Sequence, residues 1–106
     1  MKITVAKSKT KSNAMYVSKE ATKILTEYPR REALFSIMEN DNGDHVPAIG
    51  IVPETSTKTG YKLLKREKIK LTGQCPKYIM DVGVYVMNGN PIFEDDMDWF
   101  LLEKQT

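Results

Sequence analysis

The chain has 106 residues, 41% hydrophobic and 28% charged, with a net charge of +2 at pH 7. This length provides for one modest core and excludes a second domain, and no apolar run approaches the ~20 residues a membrane-spanning helix needs. With one cysteine, Cys75, and one histidine, His45, an internal disulfide and a zinc site built on such ligands are both excluded.

The small net charge hides blocks of opposite sign. Residues 1–32 carry eight Lys or Arg against three acids, and residues 33–57 carry four acids and no base. Residues 58–77 carry seven bases against Glu67, and residues 78–106 carry six acids against Lys104. Such blocks either pair off within the fold or present a two-signed surface to a partner. Mutual neutralisation is the expectation.

Ile3 and Val5 alternate with Lys2 and Thr4, which predicts a short strand with one buried face. The run Met1 to Ala6 turns polar too soon for a signal peptide, and with the lone cysteine it sets the expectation of a cytoplasmic protein. Lys7, Lys9 and Lys11 then recur at every second position among Ser and Thr. Residues 7–14 read as a basic segment free to be flexible, able to touch phosphates. Ser12-Asn13-Ala14-Met15 resembles the remnant of a cleaved tag but is read as native.

Ser18 is a good N-cap, and Ala21, Ile24, Leu25 and Tyr28 fall on one helical stripe up to Pro29, predicting an amphipathic helix over about 18–28. Ala33 to Glu39 and Val46 to Val52 flank the turn cluster Asn40-Asp41-Asn42-Gly43-Asp44, which predicts a hairpin. Pro47, with no amide to donate, marks an edge or a bulge in its second arm. After the polar loop Pro53 to Gly60, Tyr61 to Leu71 reads as one strand, with Tyr61, Leu63, Ile69 and Leu71 on one face and Lys62, Arg66, Lys68 and Lys70 on the other. Leu64 falls among the bases, and Lys65 and Glu67 fall among the apolar residues, so the pattern is imperfect.

Tyr78 to Met87 alternates with period two and predicts a central strand, with Val82, Val84 and Trp99 assigned to the core. Asn88-Gly89-Asn90 has the composition of a tight turn leading into a returning arm. Trp99-Phe100-Leu101-Leu102 suits a last strand buried on both faces, although the acids before it also fit a helix start.

No catalytic constellation emerges. His45 adjoins a turn, and Cys75, between Gln74 and Pro76, reads as an inert small hydrophobe. Placing Gly43 sixth in a calcium loop puts Met38 and Ile49 where carboxylates belong, so that register fails. Glu94, Asp95, Asp96 and Asp98 form an acidic patch whose contiguous carboxylates rarely converge on a metal. No two glycines stand at phosphate-loop spacing. Lys62, Arg66, Lys68 and Lys70, with Tyr61 and the Lys7, Lys9 and Lys11 segment, form the candidate binding surface.

The expected fold is α+β: a single domain over residues 1–106, with one antiparallel sheet of five or six strands and one helix on a face. The expected function is non-catalytic, without metal or cofactor. It is that of a small cytoplasmic regulatory or inhibitory factor that docks on another protein, in the style of accessory factors of phages and mobile elements. The alternative is a nucleic-acid-binding module using the basic arm and strand, against which stand the acidic blocks and near-neutral total.

Overall fold

In the computed structural model, residues 1–66 and 70–106 are described; Glu67, Lys68, Ile69 and the Arg66 side chain lie outside this description. The N-terminal alternation makes strand β1, Lys2–Ala6, which turns Ile3 and Val5 inward. It pairs antiparallel with β2, Ser12–Val17, with Val5 opposite Met15. Residues 12–14 are therefore built into the sheet. Asn13 occupies an inward position that an apolar residue would normally hold, and its Nδ2 donates to the Met80 carbonyl at 2.9 Å, which offsets the cost of burying an amide.

Helix α1, Lys19–Leu25, is shorter than the predicted 18–28. Ser18 caps it, its hydroxyl accepting from the Ala21 amide at 3.4 Å. At the other end the Thr26 hydroxyl donates to the Thr22 carbonyl at 2.7 Å. The stripe is nonetheless used as the spacing predicts, because Ala21 and Leu25 are buried and Ile24 and Tyr28 pack against the same core. The Thr22 hydroxyl accepts from the Leu71 amide at 3.1 Å, and the Tyr28 ring meets Phe100 edge-on at 6.1 Å.

The predicted hairpin forms as β3, Glu32–Glu39, and β4, His45–Ile51. In its turn the Asn40 carboxamide oxygen accepts from the Asn42 and Asp44 amides, and Gly43 supplies a φ of +82°. Beyond it come β5, Tyr61–Lys62; β6, Leu64–Arg66; β7, Lys70–Pro76; β8, Gly83–Met87; β9, Ile92–Glu94; and β10, Met97–Lys104.

The α+β expectation of five or six strands is overturned. Among the described residues ten strands form one antiparallel sheet that curls into a nearly closed barrel, 52% of these residues are strand, and the helix is a minor element. The order β5-β3-β4-β10-β8-β1-β2-β7-β6, with β9 also on β10, places β5 at one end of the sheet and β6 at the other. These two ends are consecutive in sequence. Tyr61 and Lys62 pair with β3, the Leu63 amide donates to the Arg31 carbonyl, and Leu64 to Arg66 pair with β7. One short segment thus changes partner at Leu63 and draws the sheet's edges together, which is how an antiparallel sheet disposes of exposed edges. Two glycines permit the crossing: a side chain at Gly60 would collide with the Ala33 backbone, and one at Gly73 would come within 3.0 Å of Leu63 and 3.1 Å of the Lys62 carbonyl.

The single strand expected over Tyr61 to Leu71 is therefore two strands and the start of a third, with Arg66 opposite Lys70 in an antiparallel register. The hairpin expected at Asn88-Gly89-Asn90 is also displaced. Both β8 and β9 pair with β10, so the chain runs on through residues 88–91 and reverses at Asp95-Asp96. Both aspartates have positive φ, 53° and 61°, the conformation of a two-residue turn between twisted strands.

The interior takes one alternating set from the long strands: Ile3, Met15, Ile49, Leu71, Tyr85, Met87, Phe100 and Leu102, closed by the helix residues. Val82 and Val84 point the other way; Val82 is 46% exposed and Val84 half-buried, so neither is core, because Tyr85 and Met87 fill the barrel from β8. Trp99, by contrast, is buried, in a second cluster with Ala48, Met97 and Leu101 on the opposite face of β4 and β10. Burial of Trp99 to Leu102 on both faces is as the sequence predicts. Pro47 lies just past Ala48, where the pairing of β4 with β10 ends. Among the described residues no helix is long and apolar enough to cross a membrane.

Candidate functional site

The register decides how the charge blocks meet. Strands β1 and β2, from the first basic block, pair with β7 and through it with β6, from the second. Strands β3 and β4, from the first acidic block, pair with β10 and β9, from the second. Like sits beside like. Residues 1–17, 58–66 and 68–80 contain no Asp or Glu, so among the described residues strands β1, β2, β6 and β7, the β1–β2 connection and the β7–β8 connection as far as Met80 form a half of the barrel free of carboxylates, with Asp81 at its border. The uncharged β8 is one seam between the halves, and β5, where Lys62 lies opposite Glu32, is the other. Only two ion pairs are present among the described residues, Arg30–Glu32 at 3.0 Å and Lys104–Asp81 at 3.2 Å. Mutual neutralisation of the blocks is not what the fold does.

Within the basic half, Lys7, Lys9 and Lys11 are exposed in the β1–β2 connection. Because Ser12 is opposite Pro76, they stand at the same end of the barrel as Lys77 and Tyr78, the latter 88% exposed. Lys62 and Lys70 are exposed but belong to different strands, Lys68 lies outside the described residues, and so does the Arg66 side chain. The four do not make a row along one strand. Tyr61 is half-buried, its ring edge-on to Phe35 at 5.7 Å.

Sequence reasoning missed the feature that lies between these lysines. Leu64, Thr72, Tyr16 and Thr4 are successive register partners across β6, β7, β2 and β1. Tyr16 is 51% exposed and Leu64 59%, with the short Thr72 between them, and they line a groove of about 500 Å³ together with Lys62 and Gln74. The Ser12 hydroxyl donates to Gln74 Oε1 at 2.5 Å, and among the described residues nothing accepts from that amide's nitrogen. Leu64 was the signal: an apolar residue out of pattern among bases was outward-facing.

The other conspicuous charges are committed to structure. Arg30 donates to Glu32 and to the carbonyls of Pro53, Ser56 and Lys58, while Glu32 also accepts from the Gly60 amide at 3.0 Å. The Gly60 amide and the Arg30 guanidinium hold the Glu32 carboxyl below its ordinary range. Glu94, Asp95 and Asp96 are exposed around the β9–β10 turn, whereas Asp98 accepts from the Tyr28 hydroxyl at 2.7 Å and does not join them. Among the described residues no three His, Cys, Asp or Glu side chains converge on a point that would hold a metal. Cys75 is buried, and burial pushes its thiol up to about 11, far from a reactive thiolate. His45 is exposed at the start of β4, opposite Glu39. No protein family, curated protein or solved structure matches the chain.

Proposed function

We propose that the protein is a non-catalytic binding module whose basic half-barrel engages an extended polyanion, with nucleic acid the leading class. The observation that carries this reading is the segregation of charge: the acidic blocks that argue against nucleic acid in the sequence lie on the other half of the sheet. Lysines at both ends of a face whose described strands carry no Asp or Glu attract phosphates through released counterions without needing a specific pocket. The lone buried thiol of Cys75 suits a reducing cytoplasm.

The test is fluorescence anisotropy with labelled single-stranded and duplex oligonucleotides over a salt series. Binding is expected at roughly 10⁻⁴–10⁻⁶ M at physiological salt, falling with a log–log slope of about −0.7 per phosphate contact on the single strand. Reversing Lys7, Lys9 and Lys11 to Glu should weaken it and flatten the slope, whereas neutralising Glu94, Asp95 and Asp96 should not. Absence of binding at about 50 mM salt would refute the reading.

Docking on another protein is the second reading, favoured by one observation. The tip of the β9–β10 hairpin exposes Phe93 (71%) and Ile92 (38%) beside Glu94, Asp95 and Asp96, an aromatic anchor rimmed by carboxylates that would suit a basic partner surface. In this reading the protein acts as a regulatory or inhibitory factor.

A further inference from the structure

The groove between Tyr16 and Leu64 differs in kind from the lysines around it. A surface that bound only charge would need no exposed aromatic ring, yet the middle of the acid-free face presents one. Tyr16 and Leu64 stand two strands apart, roughly 9–10 Å, with Thr72 as a low floor between them. That arrangement leaves room for a planar ring to lie against the Tyr16 face with Leu64 at its far side. Gln74, on the same outward face of β7 as Thr72, has its Oε1 occupied by Ser12, which leaves an amide donor toward the groove. Lys62 lines the groove and the exposed Lys70 stands two residues before Thr72 on β7, and neither has an ion-pair partner among the described residues.

We infer that this groove is a nucleobase subsite, and that the ligand of the basic half is therefore single-stranded nucleic acid: one base stacks on Tyr16 over Thr72 while its neighbouring phosphates lie against Lys62 and Lys70. This rests on the polyanion reading and narrows it. A duplex keeps its bases stacked on each other and cannot offer one to the groove, whereas an unpaired strand can, and stacking on an aromatic side chain tolerates any base. Heparin and other sulfated chains match the charge but have saturated sugar rings and no planar aromatic ring to stack.

The experiment compares four labelled probes on the whole protein: oligo(dT), oligo(U), an abasic deoxyribose-phosphate strand of the same length, and heparin. The expected result is tighter binding of oligo(dT) or oligo(U) than of the abasic strand by about 5- to 150-fold, the range for one stacked base. Tyr16→Thr, which keeps a strand-compatible side chain without the ring, should erase that difference while leaving abasic-strand and heparin binding unchanged. Tyr16→Phe should preserve it. Equal binding of based and abasic strands by the native protein would overturn the inference and leave the polyanion reading standing. So would a Tyr16→Thr protein, folded by circular dichroism, that retains the preference. If none of the four probes binds, the polyanion reading itself has failed. The native-protein comparison discriminates between these outcomes even where a substitution disturbs folding.

Discussion

The Tyr28 hydroxyl that donates to Asp98 links the end of the helix to β10, and burial, reinforced by that carboxylate, pushes its pKa up to about 12. Burial also raises Tyr61 and Tyr85. In the unfolded chain each phenol ionises near ~10, so as pH rises through that value the unfolded state sheds protons the folded state keeps, and stability falls until the folded values are passed. Tyr28→Phe should therefore lose about 1 kcal/mol at neutral pH with the hydrogen bond yet show a shallower decline under alkaline conditions, measured as urea midpoints across pH. The two faces of β8 give a second residue-scale test. Met87→Ala should cost about 2–5 kcal/mol as a core truncation, and Val84→Ala less than about 1 kcal/mol. The alternation of β8 was plain in the sequence, but which face was inward was not, because valines on one face and Tyr85 and Met87 on the other are equally apolar. Asn13 hid β2 for the converse reason: a polar residue at an inward position, satisfied by a carbonyl 67 residues away, looks like loop.

Among the elements, the long ones were legible and the short ones were not. The β3–β4 hairpin, the capped helix and the strand at Trp99 carry their own periodicity and turn chemistry. Strands β5, β6 and β9, of two or three residues, have no period to detect; their partners define them. The candidate site was half legible for the same reason. Its lysines show as composition, while the groove exists only after the register sets Leu64, Thr72 and Tyr16 side by side. The turn at Asp95-Asp96 is an element-scale exception, since both residues take a conformation that costs an L-residue roughly 1–2 kcal/mol, less for Asp. Replacing them with Asn-Gly should raise stability by about 1 kcal/mol in urea denaturation. The loop over 53–60 depends on one side chain. Arg30→Ala removes its bonds to three carbonyls, and limited trypsin digestion should then cut faster after Lys58 with the circular dichroism spectrum unchanged.

For the whole molecule, the pairing of like-charged blocks is a cost that folding accepts. Lys62 and Lys70 stand exposed in the same basic half with no ion-pair partner among the described residues, and like charges brought together on a sheet disfavour it. Lys70→Glu should accordingly raise the urea midpoint slightly while weakening polyanion binding. A simultaneous gain in both would count against the functional reading of the basic half.

The interior position of β10 bears on how the molecule is made. Strands β4 and β8 are far apart in sequence, and β10 is the strand that lies between them. Until Met97–Lys104 has left the ribosome, two sheet edges stay open and the inward faces of Ile49, Tyr85 and Met87 lack the cover that Phe100 and Leu102 bring. Before that point the nascent chain is exposed to aggregation, and the cooperative collapse of the barrel waits on the pairing of β10 with β4 and β8.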